Sequence, residues 1–188
     1  MCRLPEDCRK AVRPLILTGM QAISSTERSS SPSVSSPSRL AWAVRHVLAT
    51  DGGLAPAIAR IGLGLVILPH GLQKVLGWFG GYGFSGTYGF MTNQLGIPGI
   101  LAVLAILAES VGALALIAGI GSRIAALGIA AVMLVATAMV HLPHGFFMNW
   151  TGAQGGEGFE YHLLALALAA IVVVKGGGKG AIDRALTS

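Results

Sequence analysis

One tetrapeptide, Leu-Pro-His-Gly, occurs twice in the sequence, at residues 68–71 and 142–145, each time at the end of a long apolar run. Each copy is followed by a tryptophan, Trp78 or Trp150, and then by a glycine pair. An apolar run of about 20 residues is long enough to cross a bilayer as a helix. Because a further apolar run follows each Gly-rich loop, the repeat predicts two helical hairpins that lie in parallel orientation.

The composition agrees with a membrane protein. Of the 188 residues, 53% are hydrophobic and only 11% are charged, whereas ordinary globular chains carry about 25% charged residues. The net charge of +5 comes largely from basic residues before the first apolar run and after the last one. This distribution is what the positive-inside rule produces. It predicts a lipid bilayer as the partner, no nucleic acid, and both termini on the cytoplasmic side.

Both cysteines, Cys2 and Cys8, lie near the N-terminus, and the apolar region contains none. A membrane enzyme that exchanges disulfides with a quinone needs a reactive cysteine pair at the membrane face. The sequence therefore excludes that chemistry for the apolar region.

The sequence divides into a polar start, a membrane domain and a short end. Residues 1–39, rich in serine and proline, are predicted to be a disordered cytoplasmic tail, because such a segment buries too little apolar surface to fold. Residues 40–53 show the apolar spacing of a short amphipathic helix at the membrane interface. The membrane domain is predicted over residues 54–175, and residues 176–188 are predicted to be a cytoplasmic C-terminal tail.

The predicted fold is an all-α membrane protein, a four-transmembrane-helix bundle built from two parallel helical hairpins. The four predicted spans are residues 54–76, 98–118, 122–142 and 159–175. In the first outer loop, Phe84, Tyr88, Met91 and Leu95 recur on one face of a helix. This spacing predicts a short interfacial helix that caps the bundle.

Two ionisable residues within the predicted spans call for different explanations. Arg60 lies one turn into the first span, so its side chain is expected to snorkel to the cytoplasmic surface. Glu109 lies near the middle of the second span and is too short to reach either surface. Since an ionisable group in hydrocarbon is costly, Glu109 is predicted to point into the bundle and to have a partner there or be protonated.

The other polar residues of the spans gather toward the outer side. We expect them to meet Glu109 in a single cavity, because each of the four predicted helices contributes at least one of them. The candidate site residues are His70, Gln73, Lys74, Glu109, His141, His144 and Glu160. Tyr161 and His162 follow Glu160 at the same level of the fourth helix.

Four interpretations of this cluster remain open. It is a hydrogen-bonded network that sets helix register, a pocket for a quinone or another small amphiphile, a metal site, or a proton or solute pathway. A metal site would use His70, His141 and His144 with Glu109 or Glu160, but no pair has a diagnostic ligand spacing. A transporter usually has helices broken at the midplane, whereas the helix breakers here lie near helix ends.

Residues 60–66, 68–74 and 77–81 resemble the DoxX family of small bacterial membrane proteins. The resemblance continues through residues 95–98 and 141–147 and extends to about residue 185. It implies a multi-pass, four-helix protein of the bacterial inner membrane. The family takes its name from a subunit of an archaeal thiosulfate:quinone oxidoreductase, and members are often labelled as oxidoreductases.

The resemblance also implies a function. It indicates an accessory or quinone-facing subunit of a membrane oxidoreductase system, with a soluble redox or sulfur-handling protein as partner. Because the sequence has no flavin, nicotinamide, haem or iron–sulfur motif, redox chemistry needs a partner or a diffusible quinone, and whether the chain is an enzyme stays open. The alternative is a non-enzymatic binding or scaffold protein whose polar cluster is structural.

Overall fold

The computed structural model describes residues 39–187, and within them all regular structure is helical, without a β-strand. Residues 1–38, where a disordered tail is predicted, lie outside the described residues. The helices are α1 Arg39–Leu48, α2 Leu54–Leu76, α3 Gly83–Gly89, α4 Gly99–Ala118, α5 Ser122–Ala136, α6 Glu160–Lys175 and α7 Ile182–Thr187. A π-helical segment, Phe90–Gln94, extends α3. A second one, Thr137–His141, and a 3₁₀ turn, Leu142–His144, extend α5.

Three of the described helices are long and apolar enough to cross a membrane. They are α2, α4, and α5 with its extension to His144. Many of their large apolar side chains are exposed, as Leu104, Leu114 and Leu127 are. Exposed apolar surface on this scale is suited to lipid rather than water. The prediction of an all-helical membrane protein is confirmed at this level.

The four longer helices of the described region pack as a ring. α2 contacts α4 and α6, and α5 contacts the same two helices from the other side. α6 has 16 residues, and buried alanines such as Ala165 and Ala169 bring it close to its neighbours. The core between the helices consists mainly of alanine, leucine and isoleucine side chains. We call the end that carries residues 77–98 and 145–159 the loop end, and the opposite end, with α1 and α7, the terminal end.

The two Leu-Pro-His-Gly copies play different structural parts, although both were expected to close a membrane helix. The first lies inside α2, which continues to Leu76 and ends at Gly77, where φ is 73°. In the second copy, Leu142–His144 end the extension of α5, and Gly145 directly after them has φ of 84°. In the first copy the glycine serves packing, since a Cβ at Gly71 would collide with the backbone of Glu109 and Ser110. Gly71 therefore brings α2 and α4 into close contact.

At the terminal end, Arg60 is buried, and the prediction that it snorkels is wrong. Its side chain is 2% exposed. The guanidinium donates to the carbonyl oxygens of Leu116, Ile117 (2.7 Å) and Gly177 (2.8 Å). Leu116 and Ile117 lie in the last turn of α4, where carbonyl groups have no partner within the helix. Arg60 thus supplies hydrogen-bond donors to the last carbonyl groups of α4, and its positive charge interacts favourably with the negative end of the helix dipole.

The segment after α6 packs against the terminal end. Gly176, Gly177 and Gly178 are buried, and Asp183 of α7 is 3% exposed. The Asp183 carboxylate accepts hydrogen bonds from the backbone N–H groups of Gly121 (2.7 Å) and Ser122 (2.9 Å). These are unpaired donors at the start of α5, so a side chain distant in sequence caps this helix.

Candidate functional site

A buried ion pair joins α2 to α4. Lys74 Nζ contacts Glu109 Oε2, and the two side chains are 23% and 4% exposed. Glu109 is the eleventh of the 20 residues of α4, and the close approach at Gly71 places it against α2. A carboxylate at this depth needs a partner, and the expectation that Glu109 points inward is met by the geometry of this pair.

The ion pair borders an open groove of about 1270 Å³. We call this the α4–α5 groove, because residues of these two helices form most of its length. Its walls are mostly apolar, and Gln73, Lys74, Glu109 and His141 are among the polar side chains that line it. Small residues widen the middle, namely Ala105, Ala108, Gly112 and Ala115 of α4 and Ala125, Gly128 and Ala131 of α5. At the loop end, the groove is lined by Thr87 of α3 and by Phe90 and Met91 of its π-helical extension; we call α3 and this extension the α3 segment.

A second polar group lies between α2, α5 and α6. The His70 and Tyr161 rings are 5.9 Å apart between centroids, Tyr161 and His162 are 5.5 Å apart, and His162 and His141 are 4.1 Å apart. His141 Nδ1 lies 2.8 Å from the carbonyl oxygen of Glu157 in the loop-end segment. We call these four residues the aromatic–histidine row.

A protein-family model described as DoxX matches residues 55–142. This part of the chain belongs to the DoxX family. The DoxX match covers α2, α3, α4 and α5, and so includes Lys74, Glu109 and His141. α6, with Tyr161 and His162, follows the matched residues. Comparison with curated proteins and with solved structures yields no match.

The predicted site residues divide between two neighbouring groups rather than one cavity. The groove is bordered by Gln73, Lys74, Glu109 and His141. The His70 ring instead lies beside the Tyr161 ring, in a tilted arrangement. Gln73 also donates from Nε2 to the Phe79 carbonyl oxygen at 3.2 Å. His141 belongs to both groups, so it connects the groove to the aromatic–histidine row.

Two predicted residues lie elsewhere. Glu160 Oε1 accepts hydrogen bonds from the Met148 backbone N–H and the Trp150 indole, both at 3.1 Å. It therefore organises the second loop-end segment. His144 is exposed beside Gly156 in the same segment. Glu160 and His144 thus contact the second loop-end segment and do not line the groove.

The geometry gives no support to a metal site. Among residues 39–187, no group of three or more His, Cys, Asp or Glu side chains is arranged to hold a metal ion. His70 and His141 lie at opposite ends of the row, with Tyr161 and His162 between them. His144 faces the loop segment instead.

Tyr161 and His162 belong to the aromatic–histidine row but are not among the seven candidate site residues. His162 is 5% exposed, and it is the third residue of a helix that is apolar from Leu163 to Val174. A histidine followed directly by a long apolar run is the feature that could have identified it. Such a residue must face protein interior or water rather than lipid.

Proposed function

We propose that α6 is a fourth membrane span and that both termini face the cytoplasm of a bacterial inner membrane. α6 closes the ring with α2 and α5, so neighbours support it although it is short. Arg39, Lys175 and Arg184 all lie toward the terminal end, next to α1 and α7. A cluster of basic residues at one end of the spans favours the cytoplasmic side. The α1 helix and the α3 segment then lie at the two interfaces.

We propose that the α4–α5 groove binds a quinone or a similar long amphiphile. The observation that carries this proposal is a buried lysine–glutamate pair that borders a mostly apolar groove. An ammonium group donates hydrogen bonds to a quinone carbonyl, and a carboxylate accepts them from a quinol hydroxyl. The α4 lining of the groove runs from Pro98 to Ala115, with Glu109 between them, about 25 Å at the rise of an α-helix. An isoprenoid tail fits a groove of this length and chemistry.

The electrons for such a reaction must come from another protein. The sequence carries no motif for a resident redox group, so the protein acts as an accessory or quinone-facing subunit. A soluble redox or sulfur-handling protein is the expected partner. Affinity purification from native membranes is expected to recover that partner in stoichiometric amount. Recovery of the intact chain alone would contradict the subunit role.

A non-enzymatic scaffold is the second candidate, and one observation favours it. The Lys74–Glu109 pair joins two helices, as Arg60 and Asp183 join helix ends elsewhere. The pair therefore has a structural purpose whether or not a ligand meets it. Binding of a quinone to the groove separates the two functions, since the scaffold requires no ligand there.

Filling the groove tests the proposal. Gly112→Leu places a side chain against the tail path, and a Cβ there meets Leu107 and Ala125 only at ordinary contact distances of 3.8 and 4.0 Å. We expect binding of a radiolabelled long-chain quinone to detergent-solubilised protein to weaken by about tenfold, which corresponds to about 1.4 kcal/mol.

The matched control is Gly62→Leu. Gly62 lies on α2, where a Cβ would meet nothing within 4 Å, and it does not line the groove. This variant is expected to bind the quinone like the parent protein. Equal binding by all three proteins, or no binding by the parent protein, would overturn the proposal.

A further inference from the structure

Two buried polar atoms of the aromatic–histidine row have no hydrogen-bond partner among the described residues. They are the Tyr161 hydroxyl and His162 Nδ1. Each such atom lowers the stability of the folded protein when it is left unpaired. Orphaned polar groups that lie close together therefore indicate a missing partner, and in proteins this is often an ordered water.

The row is continuous with the ion pair. His70 lies one helical turn before Lys74 on α2, so their side chains are neighbours, and Lys74 pairs with Glu109. At the other end of the row, His141 Nδ1 lies within hydrogen-bond distance of the Glu157 carbonyl oxygen, in the loop-end segment of residues 145–159. Polar side chains from all four helices of the ring thus connect Glu109 to the loop end.

The spacing of the row favours water between its members. The ring centroids are 5.5 and 5.9 Å apart, and neither the Tyr161 hydroxyl nor His162 Nδ1 has a partner within residues 39–187. The hydroxyl can donate and accept, and Nδ1 donates or accepts according to the tautomer. A water molecule bridges such groups at little cost in free energy. Histidine and tyrosine side chains can also pass a proton along a water chain.

We propose that Tyr161 and His162 hold internal water and that the row is a proton passage between Glu109 and the loop end. Its purpose rests on the proposed function, because quinone reduction takes up one proton at each carbonyl oxygen and quinol oxidation releases them. The hydration of the row does not depend on a quinone. Protons would then enter and leave the groove from the aqueous compartment at the loop end.

Hydration can be measured directly with ¹⁵N-histidine-labelled protein in lipid bilayers. The chain has five histidines, so five sets of ring signals are expected in solid-state NMR spectra, and single substitutions assign them. Magnetisation transferred from water is expected to reach His162 as early as it reaches the exposed His144. A His162 ring that receives no direct transfer from water, while His144 does, would overturn the proposal.

Tyr161→Phe removes only the hydroxyl. It is expected to lower the transfer to His162 by roughly one third, because an internal water typically has about three partners and loses one. The control is Tyr82→Phe, since Tyr82 is 82% exposed in the loop-end segment and this change is expected to have no effect. An equal effect of both substitutions would contradict the placement of the water.

The proton passage itself is tested at Lys74. In ¹⁵N-lysine-labelled protein, exchange of the Lys74 ammonium protons with water is expected to slow in His162→Phe relative to His144→Phe. Equal exchange in the two variants would exclude the passage. If His162 is hydrated but the Gly112→Leu variant binds quinone normally, the proposed function fails while the hydrated row stands.

Discussion

Lys74→Met is expected to destabilise the folded protein by about 3–5 kcal/mol, the typical effect of removing one partner of a buried ion pair. The substitution keeps the length of the side chain but leaves the Glu109 carboxylate buried without its cation. An uncompensated charge at the middle of α4 is costly in a bilayer. Unfolding by sodium dodecyl sulfate, followed by circular dichroism in mixed micelles, measures the change.

Two further variants show whether the loss comes from the pair. Lys74→Met/Glu109→Leu removes both charges and is expected to recover most of the stability, because replacing a buried pair by apolar groups is often nearly neutral. Lys175→Met removes the exposed pair with Asp51, whose charged atoms are 3.8 Å apart, and is expected to cost less than about 1 kcal/mol. Similar effects of Lys74→Met and Lys175→Met would contradict the buried pair.

Arg60→Met is expected to cost about 3–5 kcal/mol. Hydrogen bonds from a charged donor contribute about 1.5–3 kcal/mol each, and carbonyl groups left buried without a donor add to the loss. Three carbonyl oxygens, from α4 and from the segment after α6, depend on this one guanidinium. The same unfolding measurement applies, and protection of the C-terminal segment from proteolysis is expected to fall with it.

Arg123→Met is the matched control for Arg60→Met. Arg123 makes an exposed hydrogen bond to the Ala49 carbonyl oxygen at 3.1 Å, so its loss is expected to change stability by less than about 1 kcal/mol. If Arg60 snorkelled to the surface, both arginines would behave alike. A small effect of Arg60→Met would therefore contradict the buried cap of α4.

Local features of the sequence are enough to predict the membrane character and the family. Long apolar runs and low charge leave few alternatives to membrane helices. The cost of a buried carboxylate likewise predicts that Glu109 has a partner. Lys74 could be placed among the candidates because it lies on the same side of α2 as His70 and near the same depth.

Features that depend on distant parts of the chain could not be read from the sequence in this way. Arg60 lies at the depth at which an arginine commonly snorkels, and nothing local shows that Gly177 folds back over it. Similarly, Asp183 caps α5 although it lies 61 residues beyond Ser122. The two copies of the tetrapeptide have the same four residues, but only Gly71 faces another backbone. Tertiary packing decides each of these outcomes.

The most direct test of the central proposal is photo-crosslinking with a long-chain quinone that carries a photoreactive group on its tail. The protein is illuminated in lipid nanodiscs, and the labelled residues are mapped by mass spectrometry. The groove predicts labels on its small-residue walls, near Gly112 and Gly128, and competition by unmodified quinone. Labels spread evenly over exposed faces outside the groove, such as Leu163 and Ile171 of α6, would show that the quinone is only dissolved in the lipid and would contradict the proposed site.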